Sequence, residues 1–355
     1  MMNLRKKNEK KLSVKCSDGY MLDVMLTIPD NPEKIVVYVN GSGPMTYRTM
    51  RKTPDGKKIS YHQFFADELN SRNILYCRYS TRGITDGGKA PYYYKINEKE
   101  YLKYTPMRSA EDIECIIKHL REKSGYEMPV YLMGWSEGTI VSSLVAVRNN
   151  VKVDGLFLAG YCNENLKETF TWQMMGNSAL VQYSRIFDSD KKGYISKDDI
   201  DADKYNVRKT LFGNKSFEEL DVNGDGKLTA EDFANPDYIK ATFDAVEKDD
   251  DKWLEKNNGV RLTSVWWKNH FSLPANKEIL PKLDLPIHIF TGEYDAMTPQ
   301  SQAKDIEKVF NEKGKTNLTV HHLENHDHDL NYGVFVAKGT VPDGMKELFD
   351  TIKNM

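Results

Sequence analysis

VYLMGWSEGTIVSSLVAV, residues 130–147, is the stretch that decides the fold. Val130 to Met133 is a short apolar run of strand type, and residues 139–147 read as a buried helix in spite of their β-branched members. Gly134-Trp135-Ser136-Glu137-Gly138 forms the corner between them. Glycines around a serine at a strand–turn–helix corner let two backbones approach closely. They also hold the serine in a strained conformation with its hydroxyl exposed, the arrangement of an activated nucleophile. The pentapeptide is short, and its meaning depends on what flanks it.

Outward from this corner, strand-like and helix-like segments alternate. Residues 12–15 and 22–28, joined at Asp18-Gly19, form an expected antiparallel pair. Residues 35–39 (IVVYV) and 74–79 (ILYCRY) are dense apolar runs of the kind found in strands covered on both faces. Between them, 62–71 has helical spacing at Phe64, Phe65 and Leu69. Residues 109–123 predict an amphipathic helix capped by Ser109, with Asp112 in the capping-box position. Further strands are expected at 156–159, 287–291 and 318–322, with helices at 299–310 and 345–352. This alternation predicts an α/β fold: a mostly parallel, twisted sheet with helices on both faces. Residues from about 163 to 273 break the rhythm, being acidic, helical and rich in large aromatics. They read as a lid inserted after the sixth core strand, which divides the chain into a core of 1–162 and 274–355 around an insert of 163–273.

The bulk numbers narrow the function. A net charge of −2 over 355 residues gives no global field for nucleic acid or an anionic membrane. The basic opening, Arg5-Lys6-Lys7 and Lys10-Lys11, reads as a solvated tail. No apolar stretch approaches the ~20 residues that span a bilayer, and the start lacks the apolar centre of a signal peptide. Cys16, Cys77, Cys115 and Cys162 are widely spread and lie mostly in apolar runs. They suit buried free thiols, and the expected location is the cytoplasm.

In chain order come Ser136, Asp295 and His328, each just past an expected strand, where an open parallel sheet presents its crevice. With Asn40-Gly41-Ser42-Gly43-Pro44, Arg78-Tyr79-Ser80-Thr81-Arg82-Gly83, Gly292-Glu293-Tyr294-Asp295 and LENHDHDL at 323–330, the chain resembles the α/β-hydrolase superfamily. The likeness is closest to esterase-like members carrying a Gly-Ser-Gly-Pro turn after the third strand. It covers both flanks of the insert, about two-thirds of the chain. Members often have His before the serine and Asp at position 80; here they are Trp135 and Ser80. The resemblance implies a serine nucleophile at 136, a histidine base at 328 and an orienting acid at 295. It also implies an oxyanion hole formed by the N–H of Glu137 beside that of Ser42 or Gly43. Glu293 is the competing acid and His326 the competing base. A metal held by His321, His322, His326 and His328 is not expected, because adjacent strand residues face opposite ways.

A second motif lies in the insert. Asp221, Asn223, Asp225, Gly226, Lys227 (through its carbonyl) and Asp232 follow the twelve-residue EF-hand loop, with Leu228 at the apolar eighth position. Thirty-three residues earlier Asp188, Asp190, Tyr194 and Asp199 repeat the layout, but Lys192 stands where a ligand oxygen is expected. Both loops end in Asp rather than Glu, which predicts weak or structural calcium binding. The similar dockerin repeats are nearly identical pairs close together at a chain end, unlike this unequal mid-chain pair.

Trp172, Met174, Met175, Trp253, Trp266 and Trp267 either line an apolar pocket or form the core of the insert and its seam. Tyr92-Tyr93-Tyr94 is placed to face the crevice. The expectation is a serine esterase acting on a small-molecule ester, with calcium ordering its lid. Amide, peptide or thioester cleavage uses the same residues. The rival from another class is an inactive, calcium-responsive binding module on the same core.

Overall fold

A computed structural model describes residues 8–53, 55–122 and 125–355. Arg5 to Lys7 and Lys123 therefore lie outside the described residues. Eight strands form the main sheet: β1 (Asn8–Lys15), β2 (Met21–Ile28), β3 (Lys34–Val39), β4 (Ile74–Tyr79), β5 (Val130–Trp135), β6 (Gly155–Ala159), β7 (Ile287–Gly292) and β8 (Leu318–Leu323). They lie side by side in the order β1-β2-β4-β3-β5-β6-β7-β8. The β1–β2 and β2–β4 pairs are antiparallel, and every later pair is parallel.

The central strands are buried on both faces because their residues alternate between two cores. Ile35, Val37, Leu75, Cys77, Val130 and Leu132 face one way. There they meet α2 (Pro106–Glu122), α3 (Glu137–Arg148) and α8 (Gln300–Glu312). Val36, Tyr38, Tyr76, Tyr131 and Met133 face the other way, against α1 (Tyr61–Ser71) and α9 (Asp343–Asn354). At roughly 1.5–3 kcal/mol per fully buried large aliphatic side chain, these two layers supply the main drive for closure of the sheet.

Several boundaries depart from expectation: β1 begins at Asn8 rather than at residue 12, α9 spans Asp343–Asn354 rather than 345–352, and the start of α2 is the most instructive. Helix α2 begins at Pro106, so Ser109 lies inside it and does not cap it. The Thr105 hydroxyl instead accepts from the N–H of Arg108 at 3.1 Å, and proline at the first helical position needs no acceptor for a missing N–H. Asp112, the expected capping-box residue, is buried and bonded to Arg82. Arg82 also reaches Asp18 at 2.8 Å, tying the β1–β2 turn to α2 and the end of β4.

The chain leaves the sheet after β6 and returns at β7. In between are α4 (Leu166–Trp172), α5 (Ser178–Phe187), α6 (Pro236–Glu247), α7 (Ser264–Phe271) and several shorter helices. Phe187, Ile195, Ile200, Phe217, Leu220 and Leu228 form a small apolar core around the two acidic loops. Ile195 and Leu228, at equivalent places in those loops, exchange backbone hydrogen bonds of 3.0 and 2.8 Å. A separate cluster joins insert to core, with Phe170, Trp266 and Trp267 from the insert meeting Ile84, Tyr101 and Tyr104. No helix among the described residues is long and apolar enough to cross a membrane.

Candidate active site

Ser136 is the single residue between β5 and α3, at φ 56° and ψ −122°. Its N–H is fixed to the carbonyl of Ala159 at 3.0 Å, at the end of the neighbouring strand. Glycine at 138 is required because a Cβ there would run into the carbonyl of Val39 on β3. The corner is therefore wedged between two strands, and the serine side chain is turned outward. Ser136 lines a cavity of about 460 Å³ together with His328, Ser42, Met45, Ile140, Phe170 and Trp267.

Asp295 and His328 come together at the ends of β7 and β8. His328 Nδ1 lies 2.9 Å from both oxygens of Asp295. Asp295 is only 1 % exposed, yet every lone pair it presents has a donor nearby. The N–H groups of Met297 and Thr298 reach Oδ1 at 2.9 and 2.8 Å, and the Thr298 hydroxyl donates to Oδ2 at 2.9 Å. Burial works against a charged imidazole at 328. The charge and hydrogen bond of Asp295, with Asp329 and Asp327, outweigh it, so the His328 pKa lies above the ordinary value for histidine. Trp135 donates its indole N–H to the carbonyl of His328 at 3.2 Å and so ties the backbone of that loop to the end of β5. Gly160, at φ +58°, clears the ring: a Cβ there would be 2.5 Å from His328 Cε1.

The turn after β3 contributes Gly41, Ser42 and Met45 to the cavity lining. The Thr81 hydroxyl donates to the carbonyl of Gly43 at 3.2 Å and accepts from the N–H of Met45 at 3.3 Å. Ser80 Oγ accepts from the N–H of Tyr47 at 3.2 Å and so supports the turn. The N–H of Gly43 donates to the Tyr104 hydroxyl at 3.2 Å. Among the described residues, the N–H groups of Ser42 and Glu137 have no protein acceptor.

The competing residues are engaged elsewhere. Glu293 is paired with Lys191 and accepts from the N–H of Asn325. His326 donates to the carbonyl of Glu324 at 2.7 Å and accepts from the N–H of Gly344 at 3.1 Å, facing α9. His321 meets Glu347 on α9, while His322 meets Glu307 on α8, so the two project from opposite faces. Trp266, Trp267 and Met174 line the cavity, whereas Trp172, Met175 and Trp253 are absent from its walls. Tyr92 and Tyr94 line an adjoining pocket with Met45 and Arg51.

The largest feature missed by sequence reasoning is the Glu137 side chain. It is 4 % exposed and receives three hydrogen bonds of 2.9 Å, from Tyr104 Oη, Trp266 Nε1 and His270 Nε2. Its backbone position beside Ser136 was visible, but its donors lie 33, 129 and 133 residues away. Gly160 carried no local signal either, since its neighbour comes from the far end of the chain.

The two acidic loops differ. In the first, the Lys192 ammonium lies among the carboxylates, 2.7 Å from Asp190, 2.9 Å from Asp199 and 3.9 Å from Asp188. In the second, Asp221 accepts from the N–H groups of Gly224, Asp225 and Gly226, and Asp225 from that of Lys227. Asp232 holds the N–H groups of Val222 and Thr229, and the Asn223 side chain accepts from Asp225. Among the described residues, no three His, Cys, Asp or Glu side chains converge as a ready metal cage.

No family model matches the chain, and no curated protein matches it by sequence. Solved structures do match. A thermostable carboxyl esterase from Bacillus coagulans, in complex with glycerol, superposes with a TM-score of 0.52 at 14% identity, over 98% of each chain. A lipase in its open form gives a TM-score of 0.50 at 13% identity, over 98% of this chain and 97% of the lipase. An acylaminoacyl peptidase from Pyrococcus horikoshii gives 0.50 at 12% identity, over 99% of this chain but 42% of the larger peptidase. The strand order, the serine corner and these likenesses together establish that the chain has the α/β-hydrolase fold.

Proposed function

We propose that the protein is a serine hydrolase that cleaves carboxylic esters through an acyl-enzyme, with 163–273 acting as a lid. One observation carries this reading. His328, held at Nδ1 by the buried Asp295, shares a largely apolar cavity with a serine on a strained strand–helix corner. In the proposed cycle, Ser136 Oγ bonds to the ester carbonyl carbon while its proton passes to His328 Nε2. The tetrahedral oxyanion takes the N–H groups of Ser42 and Glu137. The C–O bond to the alcohol then breaks, and the alcohol leaves with the proton from His328. Water repeats the sequence: its proton goes to His328, its oxygen to the acyl carbon, and the acid leaves as Ser136 recovers its proton. Asp295 keeps Nδ1 protonated and stabilises the imidazolium.

The apolar walls at Met45, Ile140, Phe170 and Trp267 favour an ester with a hydrocarbon arm. Calcium suits the second loop by donor chemistry: Asp221, Asn223, Asp225, Asp232 and the Lys227 carbonyl offer only hard oxygen donors. It does not suit the first loop, where the Lys192 cation already neutralises the carboxylates. Calcium would order the lid and stand outside the chemistry. Four unpaired cysteines are in keeping with a reducing, cytoplasmic setting.

A fluorophosphonate probe tests the chemistry. Covalent labelling that disappears in Ser136→Ala, together with hydrolysis of p-nitrophenyl esters, is the expected result. A folded wild-type protein that neither labels nor hydrolyses would leave only the binding-module reading.

A further inference from the structure

We propose that the Glu137 carboxylate is a positioning residue that fixes the oxyanion turn and docks the lid onto it. The proposal rests on the serine-hydrolase reading and assigns a role within that site. A carboxylate in a 4 % exposed position is costly unless its lone pairs are used, and here they are. Oε1 accepts from Trp266 Nε1 and His270 Nε2, both on α7 of the lid. Oε2 accepts from the Tyr104 hydroxyl of the core. Tyr104 has one proton, and it goes to Glu137, so a lone pair faces the N–H of Gly43. Burial and the nearby Glu137 charge push the Tyr104 hydroxyl well above its ordinary pKa, which keeps that proton in place.

The resulting chain runs in one direction, from Gly43 N–H to Tyr104 to Glu137. Each bond polarises the next, and the charged end makes Tyr104 a stronger acceptor. Two consequences follow for the reaction. Gly43 N–H is spent on the scaffold, which leaves Ser42 N–H as the donor from that turn. The lid is fastened at the same place: a Cβ at Gly43 would collide with Val260 of the lid, so the turn and the lid touch directly. Glu137 thus serves the site twice, through its backbone N–H at the oxyanion and through a side chain that ties Tyr104 of the core to Trp266 and His270 of the lid.

The test compares wild type with Glu137→Gln, Tyr104→Phe and the double variant on a p-nitrophenyl ester. It also measures inhibition by a trifluoromethyl ketone, which forms an oxyanion on the serine. Wild-type labelling by fluorophosphonate is established first; its absence would overturn the serine-hydrolase reading and not this one. With labelling present, each single variant is expected to lose about 10- to 100-fold in kcat with KM within about threefold. The ketone Ki should rise in parallel with the fall in kcat, and the double variant should be no more than about threefold worse than the weaker single variant. Tyr104→Phe keeps the test open if Glu137→Gln fails to fold. Single variants with kcat within threefold of wild type overturn the proposal. So do losses that multiply in the double variant, or a ketone Ki that stays put while kcat falls.

Discussion

Replacing Asp295 by asparagine changes one atom and should disable the reaction without unfolding the protein. The two backbone N–H groups of Met297 and Thr298 both point at Oδ1, so the amide oxygen must occupy that place. The amide nitrogen then falls at Oδ2, beside the Thr298 hydroxyl and 2.9 Å from His328 Nδ1. Nδ1 is equally close to both positions, so the amide N–H competes with the retained oxygen for it. Where the amide donates, Nδ1 presents a lone pair and the imidazole proton sits on Nε2. That nitrogen becomes a donor and can no longer take the proton of Ser136. We expect kcat to fall about 10³- to 10⁴-fold, or about 4–5.5 kcal/mol of barrier. Thr298 can rotate to accept from the amide, so the melting temperature should move by only a few degrees. Loss of the negative charge leaves burial as the dominant influence on His328, so any residual acid limb should shift to lower pH. The assay is ester hydrolysis from pH 5 to 9 on both proteins. A variant within tenfold of wild type, with an unmoved acid limb, would refute the geometry.

Further expectations follow from the same site. His326→Ala should retain most activity and His328→Ala almost none, measured as kcat/KM on the ester; the reverse ranking would move the base. Gly160→Ala places a methyl group against the His328 ring in a left-handed backbone position and should lower kcat at least tenfold; unchanged kcat would remove Gly160 from the site. Chelation with EGTA should lower the wild-type melting temperature, and Asp221→Ala should erase the difference; indifference of wild type would remove calcium from the second loop. The raised pKa of His328 also makes pH act in opposite directions on stability and activity. Its charged pair with Asp295 stabilises fully below the unfolded histidine value of about 6.5 and is lost as pH rises through the higher folded value. Activity climbs over that same window. Melting curves across pH 6 to 9, compared with His328→Ala, should show this loss.

The sheet was legible because its strands are dense apolar runs, and a run such as residues 35–39 fits little else in an α/β chain. The serine corner was legible because a strand, two glycines and a helix leave one way to place Ser136. Strand ends likewise pointed to Asp295 over Glu293, which the structure pairs with Lys191. The start of α2 was misread because the local pattern at Ser109 resembles a cap, while Thr105-Pro106 one turn earlier provides a better one. The role of Lys192 could be only half read: sequence showed a cation in a ligand position, but not that its ammonium folds back onto Asp190 and Asp199. The Glu137 network could not be read at all, since hydrophobic periodicity says nothing about which distant donors will converge on a buried carboxylate.

Lys192 makes the two acidic loops unequal partners. A positive charge tethered by its own backbone cannot be stripped by a chelator or diluted away, so the first loop keeps its neutralising cation when free metal is removed. The short ladder at Ile195 and Leu228 joins it to its neighbour. If the second loop takes calcium as proposed, the ion would meet a chain already joined to a partner loop whose carboxylates are paired.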